Sequence, residues 1–306
     1  MSPAELRLGS RGSVLARWQA EHVQRCLAAF GQPSRIEIVT TAGDRHADVR
    51  LSAIGGKGLF TQEIEAGLIE GRLDAAVHSL KDVPSSLPPG LVLGAVLERA
   101  DPRDALIAAR GLTLLSLPRG ARLGTGSLRR QAQALALRPD LEILPVRGNV
   151  DTRLRRWREG GFDALLLATA GLERLGLDDA ITERLEPAQF LPCAGQGVLA
   201  LECRAGDAVV LAALCPLHHG PTALAITAER TLLRRLDCGC QAPVAALAQL
   251  RHHELHLDAL VASPKGTRLL RRSATGTAQE PEALGTALAE ALLRDGAAEL
   301  LRLVRA

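Results

Sequence analysis

Short apolar runs alternate with helical patterns along the first two-thirds of the chain, and this alternation limits the possible folds more than any single motif does. Segments 6–8, 35–39, 74–78 and 92–97 read as strands, with helices expected over 13–30 and 59–70. A turn at ADPR (100–103) marks a crossing between domains, and the pattern then restarts. Strands 122–124, 142–146 and 163–168 are separated by helices to about residue 137 and over 150–159. Such βαβ alternation predicts parallel or mixed sheets with helices on both faces. Ligands of such folds sit at the loops leaving the carboxyl ends of the strands. PCAGQG (192–197) interrupts the pattern before a strand at 198–202. From about residue 220 the character changes to a long helix, strands 242–249, 254–261 and 268–274, and a helix from Pro281, a separate α+β domain.

The 306 residues suffice for two domains and a small third one. Aromatics make up 2% and Tyr is absent, so the core must be built from Leu, Ala, Val and Ile. That scarcity removes the stacking platforms that many nucleic-acid binders use, and a net charge of +3 is too small to imply a polyanion partner. No apolar run approaches the roughly 20 residues of a membrane span, and the N-terminus lacks the layout of a signal peptide. The expectation is a cytoplasmic monomer that binds neither nucleic acid nor membrane. Six cysteines are too sparse for a disulfide scaffold.

Of 37 basic residues only Lys57, Lys81 and Lys265 are lysines, so a lysine here marks a place that calls for a compact ammonium. GGKGLF (55–60) fails as a phosphate loop because Gly58 stands where Ser or Thr should follow the lysine. GTGSLR (124–129) fails as a dinucleotide fingerprint because Arg129 replaces the last glycine. Both read as small-residue turns opening onto a helix, where backbone N–H groups meet an anion. Cations recur at these turns: Arg11, Lys57, Lys81, Arg129, Arg130, Arg147 and Arg153. A cation at a helix N-terminus opposes the macrodipole, so an anionic ligand with several carboxylates would compensate the set; solvated surface arginine is the plain alternative. Lys81-Asp82 is the clearest acid/base candidate, its carboxylate better suited to stabilising a cation than to giving up a proton. Cys238-Gly-Cys240 has the wrong spacing for a zinc pair, so no metal is expected; a loop cysteine serves instead as an attachment point.

In order, RGSVLARWQA (11–20), GGKGLFTQEIE (55–65), AAVHSLKDVP (75–84), GTGSLRRQAQ (124–133), RGNVDTRLRR (147–156), GQGVLALECR (195–204) and CGCQAPV (238–244) resemble the hydroxymethylbilane synthase, or porphobilinogen deaminase, family. The resemblance spans nearly the whole chain. It implies two periplasmic-binding-protein-like α/β domains around a cleft, 1–99 with 198–216 and 100–197, plus a smaller C-terminal α+β domain, 217–306. It implies a transferase of haem biosynthesis that adds four porphobilinogen units in turn to a dipyrromethane cofactor, each losing ammonia, before hydrolysis releases hydroxymethylbilane. The cofactor would be held by a thioether to Cys240, which Gln241 and Pro243 follow. Asp82 and Lys81 match catalytic positions. Lys81, Thr125, Ser127, Arg129, Arg130 and Arg153 match cofactor contacts, and Arg11, Ser13, Gln19, Arg147 and Lys57 match substrate contacts. Gly126 stands where the family commonly has Ser, Ala53 and Gln62 stand where Lys is common, and Cys238 stands where Gly is common. The rival readings are a non-catalytic two-lobed anion-binding protein and a metal protein using Cys238, Cys240 and the histidines.

Overall fold

The computed structural model describes residues 4–45, 61–238 and 242–305, which form two compact units. Lys57, Ala53, Cys240 and Gln241 lie outside the described residues. Unit 1 comprises Met1–Ala100 and Val198–Ala223, and unit 2 comprises Asp101–Gly197 and Leu224–Ala306.

Unit 1 holds β1 (Leu6–Ser10), α1 (Val14–Ala29), β2 (Ser34–Ile38), α2 (Ala42–Arg45), α3 (Gln62–Ile69), β3 (Ala75–Ser79) and β4 (Leu91–Val96). Its sheet order is β2-β1-β3-β10-β4, where β10 is Leu199–Arg204. β1 runs parallel to β2 and β3, whereas β10 lies antiparallel between β3 and β4. β3 is a nearly continuous buried run because both faces of the sheet are covered. Ala75 and Val77 pack with Ala20, Val23 and Leu27 of α1, and Ala76 packs with Ile64 and Leu68 of α3. Each fully buried Leu or Val contributes about 1.5–3 kcal/mol, so this aliphatic core needs no aromatic residue.

Unit 2 repeats the plan. It contains β5 (Asp104–Ile107), β6 (Arg122–Gly124), α4 (Leu128–Leu137), β7 (Glu142–Leu144), α5 (Val150–Arg158), β8 (Ala164–Ala168), α6 (Thr169–Arg174) and β9 (Glu183–Leu185). The order is β7-β6-β8-β5-β9, with β6 parallel to β7 and β8 and with β5 antiparallel between β8 and β9. After α7 (Ala208–Leu214), helix α8 (Gly220–Arg235) leads into an antiparallel sheet of β11 (Val244–Arg251), β12 (Glu254–Ala262) and β13 (Leu269–Thr277). One face of that sheet packs with α8, α9 (Pro281–Arg294) and α10 (Ala297–Arg305) around Leu232, Leu257, Leu288 and Leu300. Its other face, through Ala245, Leu247 and Leu260, meets Ala132 of α4 and Leu191.

The strands β5 and β9 and the helices α6 and α7 are absent from the sequence reading. Two of them are only three or four residues long, too short to show a period. No single helix among the described residues is long and apolar enough to cross a membrane.

Candidate active site

In unit 1 the sequence places small polar groups where β1 gives way to α1. Ser13 is the N-cap of α1 and accepts a hydrogen bond from the Ala16 amide at 3.3 Å. The buried Ser10 donates to the Ala16 carbonyl at 3.1 Å, and Arg11 stands half-buried between the two serines. Gln19 is buried, and its amide donates to Ser79 Oγ at 2.8 Å. It ties α1 to the end of β3, lying beneath the turn rather than at its surface.

That turn carries Lys81 and Asp82. Leu80–Asp82 form one 3-10 turn directly after β3, held by the Leu80 amide on the Val198 carbonyl and by the buried Leu80 side chain. Lys81 is half-buried and Asp82 exposed. The turn thus has a fixed backbone and a carboxylate open to a ligand. Below it, His78 Nε2 meets Glu202 Oε2 at 2.9 Å in a buried pair. Glu65 of α3 is also buried, and burial pushes its carboxyl above the usual range, with the Glu202 charge adding to the effect. Among the described residues, Glu65 Oε1 and Glu202 Oε1 have no hydrogen-bond partner.

In unit 2 the β6–α4 turn brings together Thr125, Ser127, Arg129 and Arg130. Thr125 is buried and accepts from the Ser127 amide at 3.2 Å, while Ser127 caps α4 by accepting from the Arg130 amide at 3.4 Å. Gly126 has a structural reason to lack a side chain. A Cβ there would sit 2.6 Å from the Val146 carbonyl oxygen, so the glycine lets this turn approach the one that carries Arg147. Arg147 is half-buried and precedes Gly148, whose φ of +98° suits glycine alone. Arg153, one turn into α5, donates to the Gly148 carbonyl at 2.7 Å and braces that loop.

The two consecutive arginines turn inward and are not solvated surface cations. Both are buried against Asp104, the fully buried first residue of β5. Arg129 Nη1 reaches Asp104 Oδ2 at 2.6 Å and the Leu191 carbonyl at 2.8 Å. Arg130 Nε reaches Asp104 Oδ1 at 2.9 Å, and its Nη1 reaches the Leu166 carbonyl at 3.1 Å. Burial alone would push the Asp104 carboxyl up. The charges of Arg129 and Arg130, with hydrogen bonds from Arg129 and Gln196, outweigh burial and hold it well below the usual carboxylate range. Burial and the neighbouring Arg129 pull Arg130 below the ordinary arginine value, although Asp104 opposes them.

Among the described residues Asp104 is the carboxylate that pairs with both guanidiniums, so the pair keeps a surplus positive charge in a buried place; the Cys193 thiol is a further partner of Arg129. Each guanidinium has five N–H donors, so Asp104 and the two carbonyls do not exhaust them. A further carboxylate fits this deficit. The residues that sequence reasoning missed are Asp104, Gln196, His78, Glu202 and Glu65. Asp104 had one local signal, a lone acid opening the apolar run DALI. Cys238, at the end of α8, is buried with its thiol directed at the Leu233 carbonyl.

These features define an α/β protein with one strand plan in each of its two five-stranded mixed sheets, a C-terminal α+β layer and a cation-rich set of strand-end turns. Residues 6–212 match the family model described as "Porphobilinogen deaminase, dipyromethane cofactor binding domain", and residues 223–294 match "Porphobilinogen deaminase, C-terminal domain". The porphobilinogen deaminase of Desulforudis audaxviator is 53% identical over 305 residues, covering 99% of this chain and 98% of that one. That of Syntrophotalea carbinolica is 49% identical over 303 residues, covering 98% and 96%. Among solved structures, a putative methionine-binding lipoprotein from Bacillus subtilis aligns at 14% identity with a TM-score of 0.44, covering 70% of this chain and 90% of that one. The chain belongs to the porphobilinogen deaminase family, whose members are transferases of tetrapyrrole biosynthesis.

Proposed function

We propose that the chain condenses four porphobilinogen units in turn onto a covalent dipyrromethane and then releases hydroxymethylbilane by hydrolysis. The observation that supports this beyond family membership is the buried surplus of positive charge at Arg129, Arg130 and Asp104. Each pyrrole ring bears an acetate and a propionate, so the growing chain is a polycarboxylate that such a place attracts. Dipyrromethane supplies a tethered primer whose free pyrrole carbon is the point of extension.

Cys240 carries the primer through a thioether. Arg129, Arg130, Arg153, Thr125, Ser127 and Lys81 hold its carboxylates, and Arg11, Ser13, Arg147 and Lys57 hold those of the incoming porphobilinogen. Gln19 acts through Ser79, steadying the turn above it. Asp82 stabilises the cation left on the substrate ring when ammonia departs, and it orients the pyrrole N–H. An exposed carboxylate on a pinned turn suits that role, since the ligand supplies its own burial on arrival. On this reading residues 1–99 with 198–216, 100–197 and 217–306 are the three domains. The enzyme works as a cytoplasmic monomer, independent of nucleic acid, membrane and metal.

The non-catalytic receptor is not favoured, because the family match includes the cofactor-binding domain. Intact mass of the purified protein is the direct test. It should exceed the sequence mass by two pyrrole units, and Cys240→Ser should abolish the excess. An active protein with no added mass, or with the mass on Cys238, overturns the assignment.

A further inference from the structure

Gln196 lies in the PCAGQG stretch (192–197) and has no part in the roles given above. The residue is 1% exposed, yet its amide nitrogen faces several oxygens. Nε2 donates to the Pro102 carbonyl at 2.7 Å and to Asp104 Oδ1 at 2.9 Å, and it approaches the Arg103 carbonyl at 3.3 Å. The stretch itself is held from several sides. The Gly195 amide donates to Glu229 Oε2 at 2.7 Å, and the Gln196 amide closes a turn on the Cys193 carbonyl at 3.0 Å. Just upstream, Gln133 of α4 both donates to and accepts from the Leu191 backbone, at 2.9 and 2.7 Å.

The chain passes between its two units three times, at Ala100–Asp101, at Gly197–Val198 and at Ala223–Leu224. The Gln196 amide therefore joins the unit 2 ends of the first two of these connections, one through Pro102 and the other through its own backbone, and binds them to the carboxylate that holds the arginine pair. A neutral donor is the chemistry such a position needs. Asp104 Oδ1 already accepts from Arg130 Nε at 2.9 Å and from Arg129 Nη2 at 3.2 Å. Arg130 Nη2 also lies 2.8 Å from it, and an added uncharged N–H fixes the carboxylate plane without altering the net charge of the cluster. A lysine would add a second surplus cation, and a glutamate would cancel the existing one.

We infer that Gln196 is a positioning residue for the cofactor: it fixes Asp104 between Arg129 and Arg130 and so aims their remaining donors, while preserving the surplus positive charge that draws a ligand carboxylate. This rests on the reading of the site as a dipyrromethane site. Positioning and charge are separable, because Gln196→Met removes the donor at similar volume and Gln196→Glu also neutralises the cluster.

The test follows cofactor loading on apo-protein incubated with porphobilinogen, by intact mass, alongside the thermal midpoint and steady-state constants. Gln196→Met should slow the gain of the two-pyrrole mass by about tenfold and lower kcat, leaving KM within about twofold. Gln196→Glu should load more slowly still, because the surplus charge is gone, although its carboxylate can pair with the arginines and support folding. Loading at the parent rate in either variant overturns the inference, as does a Glu variant that loads as fast as Met. Loss that merely follows the folded fraction also overturns it. Should the parent itself gain no pyrrole mass, the site reading fails instead, and the two failures are told apart.

Discussion

Unit 1 and the first sheet of unit 2 share one strand plan but treat charge in opposite ways. After β3, the Lys81–Asp82 turn keeps its backbone pinned and its carboxylate in solvent. After β6, Arg129 and Arg130 turn inward, and a single internal carboxylate holds both. The exposed group can change partners as a reaction proceeds. The buried pair is preorganised, so a ligand carboxylate meets donors already aimed, with little ordering left to do. A chain that must grip a lengthening polycarboxylate while doing chemistry at one point has use for both arrangements.

The largest effect expected from this contrast is on stability. Arg129→Leu leaves Asp104 half-paired in a dry place, and breaking a buried ion pair from one side costs about 3–5 kcal/mol. Thermal or urea unfolding should show this loss, together with lost cofactor mass. Arg147→Leu removes a half-buried arginine that makes no ion pair among the described residues. It should leave the unfolding midpoint nearly unchanged while weakening substrate use by about one to two decades. The burial of Arg129 against Asp104 is what separates the two variants, since a solvated arginine at either position would leave the fold intact. Equal stability of the two variants would erase the distinction between the buried and the open cations.

How much was legible follows the same division. The strands β1, β3 and β8 and the helices α1, α4 and α5 stand near their expected positions, because caps and apolar runs are local signals. The Lys81–Asp82 turn was visible for the same reason: it is one short motif at a strand end. The arginine pair was visible as residues but not as an arrangement. Asp104 lies 25 positions before Arg129 and meets it only because β5 inserts antiparallel beside β8, which no local pattern records. Gln196 reaches Asp104 from 92 positions away. The His78–Glu202 pair depends likewise on β10 returning between β3 and β4.

The second prediction turns on the open carboxylate. Asp82→Asn keeps the shape of the turn but removes its charge, so turnover should fall by at least about a hundredfold, as when one well-placed electrostatic group is deleted. Because Asp82 is exposed and the turn is anchored by Leu80, the unfolding free energy should stay within about 0.5 kcal/mol of the parent. Asp82→Glu should retain more turnover than Asn, since the charge survives. An Asn variant as active as the parent, or more active than Glu, would make Asp82 a structural ion-pair partner and remove the functional half of the comparison.

The smallest effect sharpens the contrast within the interior, where the two units bury carboxyl groups of opposite tendency. Burial raises Glu65, whereas Arg129 and Arg130 hold Asp104 low despite its burial. A raised carboxyl keeps its proton in the folded state to higher pH than in the unfolded state, so its contribution falls as pH climbs from the unfolded value through the folded one. A depressed carboxyl does the reverse: its contribution is present above the unfolded value and is lost only as pH falls through the folded one. Glu65→Gln should therefore stabilise unit 1 at neutral pH by about 1 kcal/mol, because an amide replaces a carboxyl with an unpartnered buried oxygen. The gain should shrink as the pH falls through and below the unfolded value, where the parent glutamate takes up its proton in both states. Asp104→Asn should lower stability at neutral pH, since it strips both arginines of their anion. Unfolding midpoints at pH 4.5 and 7.5 for the two variants give the comparison its sign, and a Glu65→Gln variant that loses stability at pH 7.5 would show that the buried glutamate is a paired anion like Asp104.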